Sequence, residues 1–192
     1  MLYDKIREFA KASLNDKKFN HCLRVEQMAV SLAKQYGVDI EKAKIAAISH
    51  DCAKFFSHDK MINYMKQHGQ YIDDIQINVP YLLHGPVAAI RIKENFNVTD
   101  EDILNSIRFH TTGRKGMGQL EKIIYIADLI EEGRDFRGVE EIRQEAFKSL
   151  DRALVMGCNT TMSYVMLKGQ VIHPSTVELR NSIILSGGNK SE

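Results

Sequence analysis

The chain has 192 residues, 44% of them apolar and 27% charged, with 26 Lys and Arg against 25 Asp and Glu for a formal net charge of +1. That length is enough for one ordinary domain to bury a core and leave a cleft. The near balance of charge argues against a broad nucleic-acid surface, and no apolar run approaches the roughly 18 residues of a membrane span. The opening MLYDKIREFAKASL interleaves charges with apolar residues and has no signal-peptide core. Cys22, Cys52 and Cys158 form neither a CxxC pair nor an even disulfide set, so a reducing, cytoplasmic setting is expected.

Periodicity is helical almost throughout and period-two alternation is missing, which predicts an all-α single domain. A first helix covers 1–14. A second covers 20–36, with Val25, Met28, Ala29, Leu32 and Tyr36 on one stripe and Gly37 ending it. The alanine-rich stretch 40–55 forms a third, 61–68 a short fourth closed by Gly69, and 70–83 a loop. Pro86 suits the first turn of the next helix, whose inner face is Ala88, Ala89, Ile92 and Phe96. Thr99, with Asp102 three residues on, resembles a capping box for a helix ending near His110. After the glycine-punctuated TTGRKGMG, helices are expected at 119–133, 139–156, 159–168 and 174–185, with 187–192 (GGNKSE) a disordered tail.

Four polar residues fall where packing does not explain them. His21 shares the buried stripe of its helix with Val25, His50 and Asp51 adjoin each other among Ala46, Ala47 and Ala53, and Asp128 follows IIYIA. An unpaired buried carboxylate costs several kcal/mol, so something cationic must meet these groups, and one metal ion satisfies them together. His84, just before a helix start where free N–H groups favour an anion, and His110, before the Thr111–Thr112–Gly113 turn, either bind a second metal or donate protons to phosphate. Lys18, Lys54 and Arg134 are candidate phosphate clamps; Gly133 would let the chain turn Arg134 back over the site. His58 and His68 read as loop or helix-end residues, Cys22 and Cys52 as core fillers, and the methionines at 28, 61, 65, 162 and 166 as packing.

The order His21, His50–Asp51, Asp128 resembles the HD superfamily of metal-dependent phosphohydrolases. The runs KFNH (18–21), HDCAK (50–54), LLHGP (82–86), FHTTGR (109–114), ADLIEEGRDFRGV (127–139) and VIHPSTVELRN (171–181) together resemble its bacterial YqeK-like family, over nearly the whole chain. The resemblance implies an HD-domain helical bundle that cleaves diadenosine tetraphosphate and related dinucleoside tetraphosphates symmetrically to two ADP. It implies a metal held by His21, His50, Asp51 and Asp128, with iron, in one or two ions, ahead of Mn, Zn, Ni or Co. Catalytic roles would fall to Asp51, His84, His110 and Arg134. The nucleotide would touch Lys18, His21, Asp51, Lys54, His84, His110, Thr111, Asp128 and Arg134, and its nucleoside the segment Val171, Ile172, His173, Pro174, Ser175 and Thr176. A bound transition metal can lower the pKa of its water from about 15.7 to near 7 and polarise a phosphoryl oxygen. Another HD phosphohydrolase, a nucleotidase or a guanosine tetraphosphate hydrolase, would use the same metal set, and a non-catalytic nucleotide or metal sensor is a further alternative. Membrane partners are not expected, and a homodimer is left open.

Overall fold

A computed structural model describes residues 1–187; the expected disordered tail falls, beyond Gly187, outside the described residues. Eleven α-helices follow one another among them: α1 Leu2–Ser13, α2 Asp16–Tyr36, α3 Ile40–Ser49, α4 His58–Gln67, α5 Asp74–Asn78, α6 His84–Phe96, α7 Glu101–Phe109, α8 Gln119–Ile130, α9 Val139–Ala146, α10 Leu150–Leu167 and α11 Pro174–Leu185. No strand occurs among the described residues, as the periodicity predicts, and no helix is long and apolar enough to cross a membrane.

Helices α2, α3, α7 and α8 pack on one another and enclose the core, which is built from Ile48, Ile107, Ile123, Ile124 and Leu32 among others. Helices α1 and α6 close one flank. On the other, α8 packs on α10, which in turn carries α9 and α11. The small alanines of α3 let it pack closely: Ala43, Ala46 and Ala47 are all fully buried.

Several boundaries differ from expectation, each for a local reason. Helix α2 begins four residues early because the Asn15 side chain caps it, accepting the Lys18 N–H at 3.0 Å. Helix α3 stops at Ser49, and 50–55 is a run of tight turns rather than helix. The cap of α7 is Asp100, not Thr99; its carboxylate accepts from the N–H groups of Asp102 and Ile103. The presumed loop 70–83 contains α5, held by an Asp73–Gln76 capping box, and a 3-10 turn at Pro80–Leu83. That turn runs straight into α6, so His84 is the first residue of the helix rather than the one before it, and its own N–H is bonded to Tyr81 O. The break expected near 157 lies at 147–149, where Ser149 caps α10. Gly157 stays helical because a Cβ there would come within 2.7 Å of Leu129 Cδ2, making it a point of close approach of α8 to α10. Met61 and Met65 pack in the core, but Met166 is 60% exposed.

Gly85 is the tightest contact between α6 and α7. A Cβ on it would meet Arg108 O at 2.8 Å, Ile107 O at 2.9 Å and His110 Nδ1 at 3.2 Å. Two of these are backbone atoms, which cannot rotate away. Gly85→Ala should therefore force α6 off α7 and destabilise the chain by about 1–3 kcal/mol, read as a fall in the thermal midpoint; an unchanged midpoint would show that the helices can yield.

Candidate metal centre

Five helices bring polar side chains to one point. His21 comes from α2, His50 and Asp51 from the turn after α3, His84 from the start of α6, His110 from the end of α7 and Asp128 from the last turn of α8. Asp51 lies in the middle at 1% exposure. Its Oδ1 stands 3.4 Å from His50 Nε2, 3.4 Å from His84 Nε2 and 3.5 Å from His110 Nε2. Its Oδ2 is 2.8 Å from Lys54 Nζ and 3.7 Å from His21 Nε2. Asp128 Oδ1 is 2.9 Å from His21 Nε2 and 3.9 Å from His50 Nε2.

The tautomers are fixed from behind. His50 Nδ1–H donates to Ala47 O at 2.6 Å, His84 Nδ1–H to Tyr81 O at 2.5 Å and His110 Nδ1–H to Ile107 O at 2.8 Å. In each case the acceptor is the carbonyl three residues back. For His50 and His110 it lies in the last turn of a helix, where carbonyls lose their helical partners, and for His84 it is Tyr81 O, which also accepts the His84 backbone N–H. A neutral imidazole has a single N–H, so each ring then presents a bare Nε2 lone pair to the centre. His84 Nε2 and His110 Nε2 face each other at 2.9 Å, with Thr111 Oγ1 at 3.2 and 3.0 Å. One hydroxyl proton cannot serve both nitrogens. His21 Nε2, His50 Nε2 and Asp51 Oδ1 are buried with no properly aligned hydrogen bond.

Among the protein's own groups, burial pushes the His50 pKa down, but Asp51 and Asp128 outweigh it and the net direction is upward. Burial pushes the Asp51 carboxyl upward, but the imidazoles of His50, His110 and His84 around it outweigh burial and hold the group well below the usual range. Asp128 is likewise lowered, with burial outweighed by the adjoining His21 and His50 imidazoles. Burial, together with the neighbouring His50 and His84, pushes His110 down to about 4, so its ring is neutral at pH 7. Ligand atoms within 4.8 Å of one another occur in three sets: His21–His50–Asp51, His50–His110–Asp128 and Asp51–His84–His110. Buried lone pairs converging without protons between them fit a cation, and a nitrogen-and-carboxylate donor set fits a divalent one.

The candidate phosphate clamps are close by. Arg134 folds back on Asp128, donating Nε–H to its carbonyl at 2.9 Å and reaching Oδ1 at 2.7 Å. Gly133 serves here by its size rather than its turn: a Cβ would sit 2.7 Å from Arg24 Nε. Lys54 is paired with Asp51, and Lys18 Nζ donates to Lys54 O at 2.9 Å. A cleft of about 470 Å³ opens on the centre, lined by His21, Asp51, Lys18, Lys54, Arg134 and, unforeseen, Lys17, Arg24 and Tyr81.

Segment 171–176 does not line that cleft. His173 and Ser175 line a smaller cavity of about 220 Å³ with Arg108, Phe109 and Thr112. The His173 ring is already engaged: Nδ1 accepts the Ser175 N–H at 3.2 Å and Nε2–H donates to Asp73 Oδ2 at 2.9 Å. Pro174 opens α11, Thr176 donates to Thr112 O at 2.8 Å, Ile172 is half-buried and Val171 is exposed. His58 starts α4 and His68 caps its end. Cys22 and Cys52 are fully buried beside the centre, and burial raises both thiols, Cys52 to about 12, so neither is a thiolate at neutral pH.

Three charged residues passed over in the sequence bear on the centre. Glu131 contacts His21 Nδ1, Arg24 pairs with Glu131, and Arg143 donates to the carbonyls of Ile130, Glu131 and Arg134, each at 2.8 Å. The available signal was spacing: Arg24 follows His21, and Glu131 follows Asp128, by three residues on the same helix face.

Helices that carry His21, His50–Asp51 and Asp128 to one buried point are what the HD-domain family pattern describes, and that pattern matches residues 19–133. The chain belongs to the HD-domain family and, within it, to the YqeK-like symmetrical bis(5'-nucleosyl)-tetraphosphatases. It is 39% identical to the symmetrical bis(5'-nucleosyl)-tetraphosphatase of Halalkalibacterium halodurans, over 94% of this chain and 96% of that one. With the enzyme of the same name from Bacillus subtilis it shares 40% identity over 91% of this chain and 93% of that one. Among solved structures, the crystal structure of a predicted HD superfamily hydrolase involved in NAD metabolism, from Clostridium acetobutylicum, superposes with a TM-score of 0.93 at 45% identity, covering 96% and 97% of the two chains.

Asp128→Asn keeps the shape of the side chain and removes its charge. Metal content after purification should fall at least about tenfold while the circular dichroism spectrum stays that of a helical protein. Full metal retention in that variant would take Asp128 out of the centre.

Proposed function

We propose that the chain hydrolyses diadenosine tetraphosphate and related dinucleoside tetraphosphates symmetrically, giving two ADP, with a divalent metal held by His21, His50, Asp51 and Asp128. The observation that carries this reading is the set of buried bare Nε2 and carboxylate lone pairs at the floor of a cleft lined by lysines and arginines. The first half of that description calls for a cation and the second for a polyphosphate. The relatives bearing the tetraphosphatase name match along nearly the whole chain, which favours that substrate over other HD phosphohydrolase substrates.

When bound, the metal supplies a Lewis acid for a phosphoryl oxygen and a water acidic enough to attack at neutral pH. The protein's own residues do the rest. His84 and His110 act as ligands rather than proton donors. Each has given its ring N–H to a backbone carbonyl, and His110 is too weak a base to carry a second proton at pH 7. With Asp51 shared between two of the three ligand sets, they favour a second ion beside the first. Lys54 balances Asp51, and Lys18 braces the turn that carries it. Arg134, 40% exposed and resting on Asp128, is placed to release that carboxylate and hold two phosphate oxygens of the scissile group, which a planar guanidinium does and an ammonium does not. Thr111 orients the same phosphates beside His84 and His110. The nucleoside lies against segment 171–176, where backbone groups rather than the engaged His173 ring do the recognising. Nitrogen and carboxylate donors without a thiolate suit Fe, Mn, Zn, Ni or Co, and the resemblance to the YqeK-like family puts iron first among them. Action as a single domain in the cytoplasm belongs to the same proposal.

Two measurements test it. ADP should be the only nucleotide product from diadenosine tetraphosphate, and oxygen-18 water should label one of the two ADP molecules formed. AMP with ATP would mean asymmetric cleavage and overturn the substrate assignment. Arg134→Lys should lower kcat by about 10² at unchanged metal content; wild-type kinetics would return Arg134 to a structural role.

A further inference from the structure

Four imidazoles meet at the centre, and they are not held alike. His50, His84 and His110 each lean on the carbonyl three residues back, so the end of a helix or turn fixes its own histidine. His21 lies inside α2, where the carbonyls of the preceding turn are taken by the helix itself. Its Nδ1 has no local orphan to lean on. The support comes instead from Glu131, the residue that ends α8, whose Oε1 lies 3.2 Å from His21 Nδ1 across 110 positions of sequence.

Glu131 is built in rather than adrift. It is 2% exposed, and its two oxygens meet His21, both Arg24 Nε at 2.5 Å and Nη2 at 3.3 Å, and the Gly133 N–H at 2.6 Å. The absence of a side chain at 133 is what lets Arg24 close on it. Every group that approaches this carboxylate is a donor. A glutamine could not replace it, because its NH₂ would face at least one of those donors. Glu131 also lies behind the His21 ring, whose far nitrogen faces Asp128 and Asp51, so it is no member of the ligand set itself.

We infer that Glu131 is a positioning residue: it holds His21 in the ligand tautomer and orientation, and thereby sets how tightly the centre binds its metal. The inference rests on the metal reading above. A carboxylate behind a ligating imidazole fixes the ring and raises the basicity of the nitrogen that faces the ion, and loss of such partners weakens metal binding by about 10–100-fold.

The test is a cobalt(II) titration of the metal-stripped full chain, followed by visible absorption. Glu131→Gln should bind Co²⁺ about 10–100-fold more weakly with a displaced absorption band. Glu131→Asp keeps the charge beside Arg24 and shortens the reach to His21; it should weaken binding too, and it serves if the glutamine variant does not fold. Arg24→Met removes the ion pair but leaves the carboxylate on His21, so its Co²⁺ affinity should stay within about threefold of wild type, and in a His21→Ala background Glu131→Gln should add less than about twofold. Wild-type Co²⁺ affinity in both Glu131 variants overturns the inference. So does an equal loss with and without His21, or a loss in Arg24→Met matching that in Glu131→Gln, since either would mean a general structural role. A wild-type chain that takes up no Co²⁺ overturns the metal reading, and the inference with it.

Discussion

Asp51 is almost fully buried, surrounded by imidazoles whose Nδ1 protons point away from it. Ion pairs in proteins are normally completed by side chains, yet here Lys54 touches one oxygen and the other faces three bare nitrogens. Leaving such groups unpaired in an interior costs several kcal/mol. A domain whose net stability is of order 5–15 kcal/mol does not carry that cost without a return. A divalent ion reverses the sign of every one of these contacts at once, turning mutual repulsion of lone pairs into coordination. The arrangement of α2, α3, α6, α7 and α8 follows from the need to bring those atoms within bonding reach of a single small region.

The means of doing so is helix termination. An α-helix leaves its last carbonyls without partners, and a histidine at or just past the end can fold its Nδ1–H back onto one of them. His50 after α3 and His110 after α7 use this device, and His84 uses its counterpart after the 3-10 turn. Each bond fixes a tautomer and aims a lone pair. The cost of one is shared with the others because the elements must stop at the same place. Gly85 shows how strictly, since α6 and α7 approach there to a distance that no side chain tolerates. His84 and His110 stand 2.9 Å apart as a direct result.

Much of the fold was legible because it depends on apolar periodicity, and the stripe through Val25, Ala29 and Leu32 is buried as expected. Boundaries were less so where one cap competed with another, as with Asp100 beside Thr99, or where a glycine inside a helix marked close packing, as at Gly157. Of the centre, His21, His50, Asp51 and Asp128 stood out as polar residues on buried faces, and the structure brings them together. Glu131, Arg24 and Arg143 did not stand out. They lie in charge-rich stretches that read as solvated surface, and only the packing of α2 against α8 reveals that Glu131 is buried. The positions of helix ends relative to one another are tertiary facts, which periodicity does not contain.

The two cavities divide the recognition problem. The larger is lined by cations and reaches the metal centre, and it offers a phosphate chain charge but little shape. The smaller is lined by Phe109, Leu82, Pro86 and Ile90 with a few polar groups, a surface suited to a flat, partly apolar base or sugar. What joins them is the turn 111–113. Thr111 stands against His84 and His110, Thr112 O accepts the Thr176 hydroxyl, and Gly113, at φ 64°, lies against Leu179 of α11. Helix α11 thus bears on the turn that holds Thr111, one peptide from His110. On the proposed reading, the segment that recognises the nucleoside and the residues that hold the metal move as one body. Placement of a phosphorus atom within a fraction of an ångström requires that, because binding energy gathered at a distant base aids the reaction only through a rigid connection to the site of attack.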